Sequence, residues 1–300
     1  MINRTLVVAV LVAVCILVTA CSSTSNYTDA LEPRFTGRYS DQTADFDGTL
    51  QVVSYNVSFG ENVDRVIYEL SEFDELKGAD IVLLQEMDEI GTESIARTLG
   101  YNYVYFPASI HSHHDKNFGN AILSKWPIHA PEKIILPYKS PTNQQIRIAV
   151  KALISVGDLE ILTYSVHTET FWLGRQKRHG QIDALIESIE PDSPYVVVGG
   201  DFNTLTPKSI EYLEESLGEI GMARASQNGE PTLPYAPFEF TLDHIFVRGM
   251  DVNEAGVSEE ATASDHFPIW VRLTPLDQDT GGVFLSGEIN ECSVYLLKRR

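Results

Sequence analysis

Cysteine is scarce in this chain, with three residues in 300. Cys15 lies inside the leading apolar run and Cys21 ends it, which leaves only Cys292 elsewhere. That excludes a disulfide framework. No Cys/His spacing suits a structural zinc site either. Basic residues are few, 22 Lys plus Arg against 42 Asp plus Glu, for a formal charge of −20. Such a balance favours solubility, weakens non-specific attraction to a bare nucleic-acid backbone, and says nothing about fold. No internal repeat is present, and no apolar stretch is long enough to span a bilayer.

What remains is a globular composition, 43% hydrophobic and 10% aromatic. A chain of this length fits one large α/β domain. The first residues read as an address. Arg4 supplies a short positive region, Leu6 to Val18 is almost wholly apolar, and Val18-Thr19-Ala20-Cys21 follows. That run is too short to span a membrane and reads as a signal peptide over 1–20. The small residues before Cys21 resemble a bacterial lipobox, so Cys21 is expected to be acylated after cleavage. An uncleaved anchor or a plain secretory signal is the alternative. The expected place is the extracytoplasmic side of a bacterial membrane, held by more than one acyl chain. Residues 21–47 are polar, begin Cys21-Ser22-Ser23-Thr24-Ser25, and read as a tether that lets a domain over 48–274 stand off the bilayer. Residues 275–300 read as an extension of unassigned role.

Short apolar, β-branched runs recur through the body: Leu50–Val57, Ile81–Gln85, Asn102–Phe106, Ala121–Ser124, Ile146–Ile154, Leu159–Val166, Tyr195–Val198, Leu242–Val247 and Pro268–Leu273. Helical spacing appears over Val63–Leu76, Glu93–Leu99, Arg175–Ile189 and, after a Thr206 cap, Pro207–Leu217. Many strands and few helices without strict alternation predict an α/β (α+β) fold of mixed sheets with helices packed outside. Charge is uneven. Glu61 to Glu93 holds eleven acidic residues against two basic, while Lys116 to Lys151 holds six basic against Glu132. Arg175, Lys177 and Arg178 add a second basic cluster. Both clusters read either as solvated surface or as a rim for a phosphate-bearing substrate.

Polar residues stand at strand ends again and again. Asn56 follows Val52–Tyr55, Glu86 follows Ile81–Gln85, and His167 follows Leu162–Val166. Asp201 and Asn203 follow Val196–Val198, Asp243 opens the next run, and Asp265-His266 precedes the last. A single carboxylate there is usually a turn residue or a cap. Seven such positions of complementary chemistry point to a site. Glu86 and Asp265 with the amide oxygen of Asn56 suit Mg²⁺, with Mn²⁺ or Ca²⁺ as substitutes, because a hard cation takes one or two carboxylates plus substrate oxygens. Asp201 is the candidate to deprotonate an attacking water, with Asn203 beside it if the run is extended. Gly199 and Gly200 allow close backbone approach. His167 and His266 are candidate phosphate donors, and Asp243 rather than the adjacent Asp265 should orient His266, since neighbours in a strand point apart. His111, His113 and His114 read as a solvated loop before a transition-metal site.

The ordered set Ser54-Tyr55-Asn56-Val57, Leu84-Gln85-Glu86, Gly119-Asn120-Ala121-Ile122-Leu123-Ser124, Ser165-Val166-His167-Thr168, Gly200-Asp201-Phe202-Asn203, Leu242-Asp243-His244-Ile245 and Ser264-Asp265-His266-Phe267-Pro268 resembles the endonuclease/exonuclease/phosphatase superfamily. The resemblance runs from about Leu50 to Leu273. It implies a four-layer α/β/β/α sandwich with the site at one end. It also implies that Asn56, Glu86 and Asp265 lie near a metal, Asp201 and Asn203 at the water, His167 and His266 on the phosphate, and Asp243 behind His266. By the same resemblance Asn120 and Arg147 line the cleft and bind phosphate, while Arg178 and Gln181 fall in a helix pattern of structural character. Ser58 replaces the acidic residue that apurinic endonucleases carry two positions after the first asparagine, and His167 replaces their tyrosine. Both departures favour the deoxyribonuclease I-like and sphingomyelinase-like branches.

The expected activity is therefore a surface-tethered, Mg-dependent phosphoesterase working through an Asp-activated water, an extracellular nuclease being one form. A sphingomyelinase-like or phosphoinositide-directed lipid phosphoesterase is the alternative, and a non-catalytic surface-binding module the reading of another class. The expected partners are a nucleic-acid or lipid-headgroup phosphoester and the membrane through the N-terminal anchor, with the chain a monomer.

Overall fold

Period-two alternation sorts the strand residues into two faces. Val52, Leu83 and Ile122 turn inward, while their neighbours Val53, Val82 and Leu84 turn out. A strand buried on both sides needs partners on both sides, and the fold supplies them. The computed structural model describes residues 24–40, 46–111, 114–226, 230–235 and 238–277. In chain order its strands are β1 (Ser25–Asn26), β2 (Phe35–Gly37), β3 (Leu50–Asn56), β4 (Ile81–Met87), β5 (Asn102–Ile110), β6 (Asn117–Ser124), β7 (Ile128–Ile135) and β8 (Ile148–Val156). They continue with β9 (Leu159–His167), β10 (Tyr195–Asp201), β11 (Ala223–Arg224), β12 (Leu233–Tyr235), β13 (Phe238–Phe240), β14 (Asp243–Arg248), β15 (Met250–Val257) and β16 (Ile269–Pro275). The helices are α1 (Val63–Glu72), α2 (Glu89–Leu99), α3 (Arg175–Glu187) and α4 (Pro207–Gly218).

One sheet runs β1-β5-β6-β4-β3-β16-β15, with β2 also paired to β5. The other runs β11-β14-β10-β9-β8-β7. Their facing sides form one core in which Leu83, Val104 and Ile122 meet Val150, Val197 and Ile245. Val66, Leu70 and Ile95 of α1 and α2 cover the outer face of the first sheet. Ile182, Leu185, Leu213 and Leu217 of α3 and α4 cover the second. This is the four-layer α/β/β/α sandwich. Each fully buried aliphatic side chain contributes about 1.5–3 kcal/mol, so the core outweighs any surface ion pair.

All nine expected strands and all four expected helices form, with ends shifted by a few residues. Asp88 Oδ1 accepts from Gly91 N at 2.7 Å, which starts α2 four residues earlier than its apolar spacing suggests. Thr206 caps α4, with Pro207 first in the helix. β7 and β15 escape the sequence pattern because both are sheet edges. β7 carries a register shift between His129 and Glu132, and β15 is largely exposed. An edge strand need not alternate apolar and polar residues.

One expectation is corrected. Residues 24–40 do not stand off as a loose tether. β1 and β2 extend the first sheet, and Lys133 Nζ donates to the carbonyls of Glu32 and Pro107. Unpaired β5 edge groups gain partners that outweigh the segment's polarity. Cys21, Cys292, His113 and the chain beyond Asp277 lie outside the described residues.

Candidate active site at one end of the sandwich

β3 and β4 run parallel in one sheet, and β9 and β10 run parallel in the other. Their C-terminal ends therefore emerge together, and each carries a polar residue there. Across the two sheets Asn56 Nδ2 donates to Asp201 Oδ2 at 3.1 Å and to Glu86 Oε1 at 3.3 Å. His167 Nε2 lies 3.5 Å from Asp201 and 3.8 Å from Glu86. Asp243 opens β14 directly opposite Asp201 in the register. Its Oδ2 meets His266 Nδ1 at 2.8 Å and accepts from Thr232 Oγ1 at 2.6 Å. Asp265 is exposed beside this pair, not against it, as strand-like divergence of neighbours predicts.

Local backbone devices aim these groups. Glu86 adopts φ 61° where the β4–β6 register shifts, so the irregularity turns its carboxylate into the mouth. Asn203 sits at φ 50°, with its N–H on Asp201 Oδ1 at 2.8 Å. The run after Asp201 is a tight turn, not the extended segment the sequence suggests. Asn203 Nδ2 donates to the Thr168 carbonyl, and Arg178 donates to the carbonyl of Asn203. A Cβ on Gly200 would fall 1.9 Å from the Val166 carbonyl oxygen, and one on Gly199 would fall 2.7 Å from Leu83. These glycines serve strand and sheet packing, and the approaching backbone is β9.

The loop bearing Asp265 and His266 is clamped from α1. Buried Glu69 accepts from Tyr55 Oη at 2.9 Å, Arg65 Nε at 2.9 Å, and the backbone N–H groups of Thr262 and Ala263. Asn62 Nδ2 donates to the Ala263 carbonyl. A carboxylate so saturated with donors is a positioning group. Sequence reasoning missed Glu69, which reads there as one more acid on an amphipathic helix.

Electrostatics separate the groups. Burial raises the pKa of Asp201 to about 7, with the charge of Asp243 adding to it and His266 opposing. Burial also raises Glu86, against the pull of Arg147 and His266. Burial opposes charge on His266, yet the Asp243 carboxylate and its hydrogen bond overcome that and raise the pKa to about 10. His167 goes the other way: burial, then Arg147 and His266, hold it well below the usual imidazole value. Near neutrality the site holds one imidazolium, His266, and one neutral imidazole, His167.

The neighbouring carboxylates Asp243 and Asp265 add to the raised proton affinity of Asp201 and Glu86 respectively, and a divalent cation would relieve that. The oxygen donors fit a hard cation. Asp243 Oδ1 is buried with no hydrogen-bond partner among the described residues. The ligand atoms of Asp201, Asp243 and His266 lie within 4.8 Å of one another. Two expectations shift here. Asn56 Oδ1 accepts from Ser58 N at 3.1 Å, so its NH₂ and not its oxygen faces the carboxylates. Asp265 acts on Glu86 through charge and shares no hydrogen bond with it.

The two candidate phosphate binders each have protein partners at the site. Asn120 Nδ2 donates to the carbonyls of Ile148 and Ser165 and ties the sheets together under the site. Arg147 NH1 lies 3.1 Å from His167 Nε2, and Nε meets Glu169 at 3.2 Å, so the guanidinium braces His167. Gln181 joins the Glu169 N–H to the Pro137 carbonyl, the structural role expected of it. An aromatic wall that the sequence did not reveal flanks the mouth. Phe59 stacks on His114 at 4.5 Å, and Phe118 lies 5.9 Å from His167. His111 and His114 belong to that wall.

The sequence profile of the endonuclease/exonuclease/phosphatase family matches residues 53–266. A UPF0294 protein of Vibrio vulnificus is 28% identical over 127 residues, 42% of this chain and 44% of that one. The chain thus spans less than half the length of the curated relatives it matches. Among solved structures, an endonuclease/exonuclease/phosphatase family protein of Leptotrichia buccalis superposes with TM-score 0.62 at 18% identity, covering 75% of this chain and 99% of that one. The mannosyl-6-phosphatase Bt3783 of Bacteroides thetaiotaomicron gives TM-score 0.57 at 20% identity, covering 75% and 99%.

Proposed function

Because the chain belongs to the endonuclease/exonuclease/phosphatase family, whose members hydrolyse phosphoesters, we propose that it is a surface-tethered, Mg²⁺-dependent phosphoesterase. The observation that carries this reading is the contact of Asp201 with Asn56 and His167 beside the Asp243–His266 pair. Asp201, with a proton affinity raised toward neutrality, takes the proton of an attacking water. The His266 imidazolium, held by Asp243, donates to a phosphoryl oxygen as charge builds there. Neutral His167 accepts from Arg147 and stays in place at the mouth because Arg147, itself paired with Glu169, braces it. Glu86 with Asp265 would hold the cation, which supplies charge neutralisation on the phosphoryl group. Cys21 carries the acyl anchor in this reading.

Hydrolysis of bis(p-nitrophenyl) phosphate tests it. Wild type should release nitrophenol with Mg²⁺ and stop with EDTA, and Asp201→Ala should lose at least about 10²-fold. Equal rates for wild type and Asp201→Ala would leave a non-catalytic binding module as the better account. For the anchor, a Cys21→Ser chain should leave the membrane fraction; one that stays bound removes lipidation as the cause.

A further inference from the structure

The chain enters the fold at the catalytic end. β1 is antiparallel to β5, with Ser25 opposite Ile110, and β5 runs in the same sense as β4, whose last turn bears Glu86. Thr24 therefore lies at the level of the site, fastened by its N–H and Oγ1 to the Asn143 carbonyl. Cys21 precedes Thr24 by three residues, a reach of about 10 Å at full extension. In the anchoring reading, an acyl group on Cys21 would therefore enter the lipid from the catalytic end and not the opposite one.

The same end is built for such a surface. Among the described residues the exposed Phe and Trp side chains are Phe171 (49%), Trp172 (65%) and Phe238 (60%). All three lie in connections at that end. Phe171 and Trp172 follow β9, with ring centroids 4.4 Å apart, and Phe238 lies on the β12–β13 ribbon just before Asp243. Exposed Tyr138 joins them, with Lys177 Nζ 5.8 Å above its ring. Exposed Lys139, Arg175 and Lys177 are in no ion pair among the described residues, on a chain of charge −20. The two basic clusters of the sequence thus divide. Lys116, Lys125 and Lys151 pair with acids, while Lys139 joins Arg175 and Lys177 beside the aromatic rings.

We propose that the catalytic end is a membrane-docking face, seated on an anionic phospholipid bilayer, and that the substrate is a phosphoester in the lipid headgroup layer. The proposal rests on the phosphoesterase reading and names its substrate class. Exposed Trp and Tyr rings, apolar with a polar handle, partition to the bilayer interface, exposed Phe adds apolar area, and basic residues among them are drawn to anionic headgroups. A duplex nucleic acid would have to enter between this face and the membrane to reach Asp201.

Full-length protein reconstituted in vesicles of phosphatidylglycerol and phosphatidylcholine tests this, because the anchor then holds every variant at the surface alike. With brominated lipid in the vesicles, Trp172 should be quenched. Trp172→Phe should remove that quenching, since Trp126 is buried and Trp270 lies on β16. Phe171→Ala/Trp172→Ala should cut release of phosphate or headgroup from the vesicles about tenfold, and bis(p-nitrophenyl) phosphate hydrolysis should stay within about twofold. Lys139→Glu/Lys177→Glu should lower vesicle hydrolysis and its dependence on phosphatidylglycerol. Quenching unchanged by Trp172→Phe, or vesicle hydrolysis unchanged in the aromatic variant, overturns the docking face while leaving the phosphoesterase reading intact. Plasmid DNA cleaved faster than the vesicle lipids overturns the substrate class. Failure of wild type on the soluble diester is instead a failure of the phosphoesterase reading.

Discussion

His266 is charged against the cost of burial chiefly because Asp243 lies 2.8 Å away, and that dependence is measurable. A histidine whose folded pKa rises from 6.5 to about 10 adds stability that is complete below 6.5 and lost as pH rises through 10. In EDTA, the melting-temperature gap between wild type and His266→Gln should therefore be widest near pH 6.5 and narrow toward pH 10. Comparing the two proteins cancels titrations remote from His266, including Lys133, which burial lowers to about 8, but not those of Asp201 and Glu86, which the His266 charge holds down. A gap that widens with pH would mean that His266 is neutral. In Asp243→Asn the imidazole loses its counter-charge. The kcat on the soluble diester should fall about 10²–10³-fold, and the alkaline limb of the pH–rate profile should move toward neutrality.

Elements aim these residues, and two of them do so through single positions. β9 and β10 approach so closely at Gly200 that a methyl group there meets the Val166 carbonyl. Gly200→Ala should cost about 3 kcal/mol or more in urea unfolding, where surface glycine replacements cost little. The loop before β16 is held by Glu69, whose carboxylate has no role at the phosphate. Glu69→Gln keeps the volume but exchanges two acceptor oxygens for one oxygen and an NH₂ that faces donors. It should reduce kcat while leaving KM nearly unchanged. Glu69→Asp should not restore the rate, since the shorter side chain falls short of the loop.

For the whole molecule, the segment over residues 24–40 belongs to the body. It covers the β5 edge and receives Lys133 Nζ. Deleting residues 24–40 should expose that edge, lower the melting temperature by several degrees and promote association, read by thermal unfolding and size-exclusion chromatography. A deletion variant as stable and monomeric as wild type would return the segment to the status of a tether. The same docking places Thr24, the first described residue, at the catalytic end.

The fold class, the strands of both sheet interiors and the polar residues at their ends follow from residue order. Buried strands must be apolar on both faces, and chemistry needs particular side chains at their ends, so both leave marks along the chain. Asp201, Asp243 and His266 were legible for that reason. Which way those side chains face came only with the packing of the two sheets. Asn56 turns its NH₂ inward because Ser58 N takes its oxygen, Asn120 ties two sheets, and Arg147 braces His167. Packing also settled the edges, β7, β15 and the docked residues 24–40, where pairing on one side leaves composition free. Glu69 and the exposed pair Phe171–Trp172 carry no local pattern. Their meaning comes from what lies across from them, a loop 193 positions away for Glu69 and solvent beside the catalytic mouth for the rings.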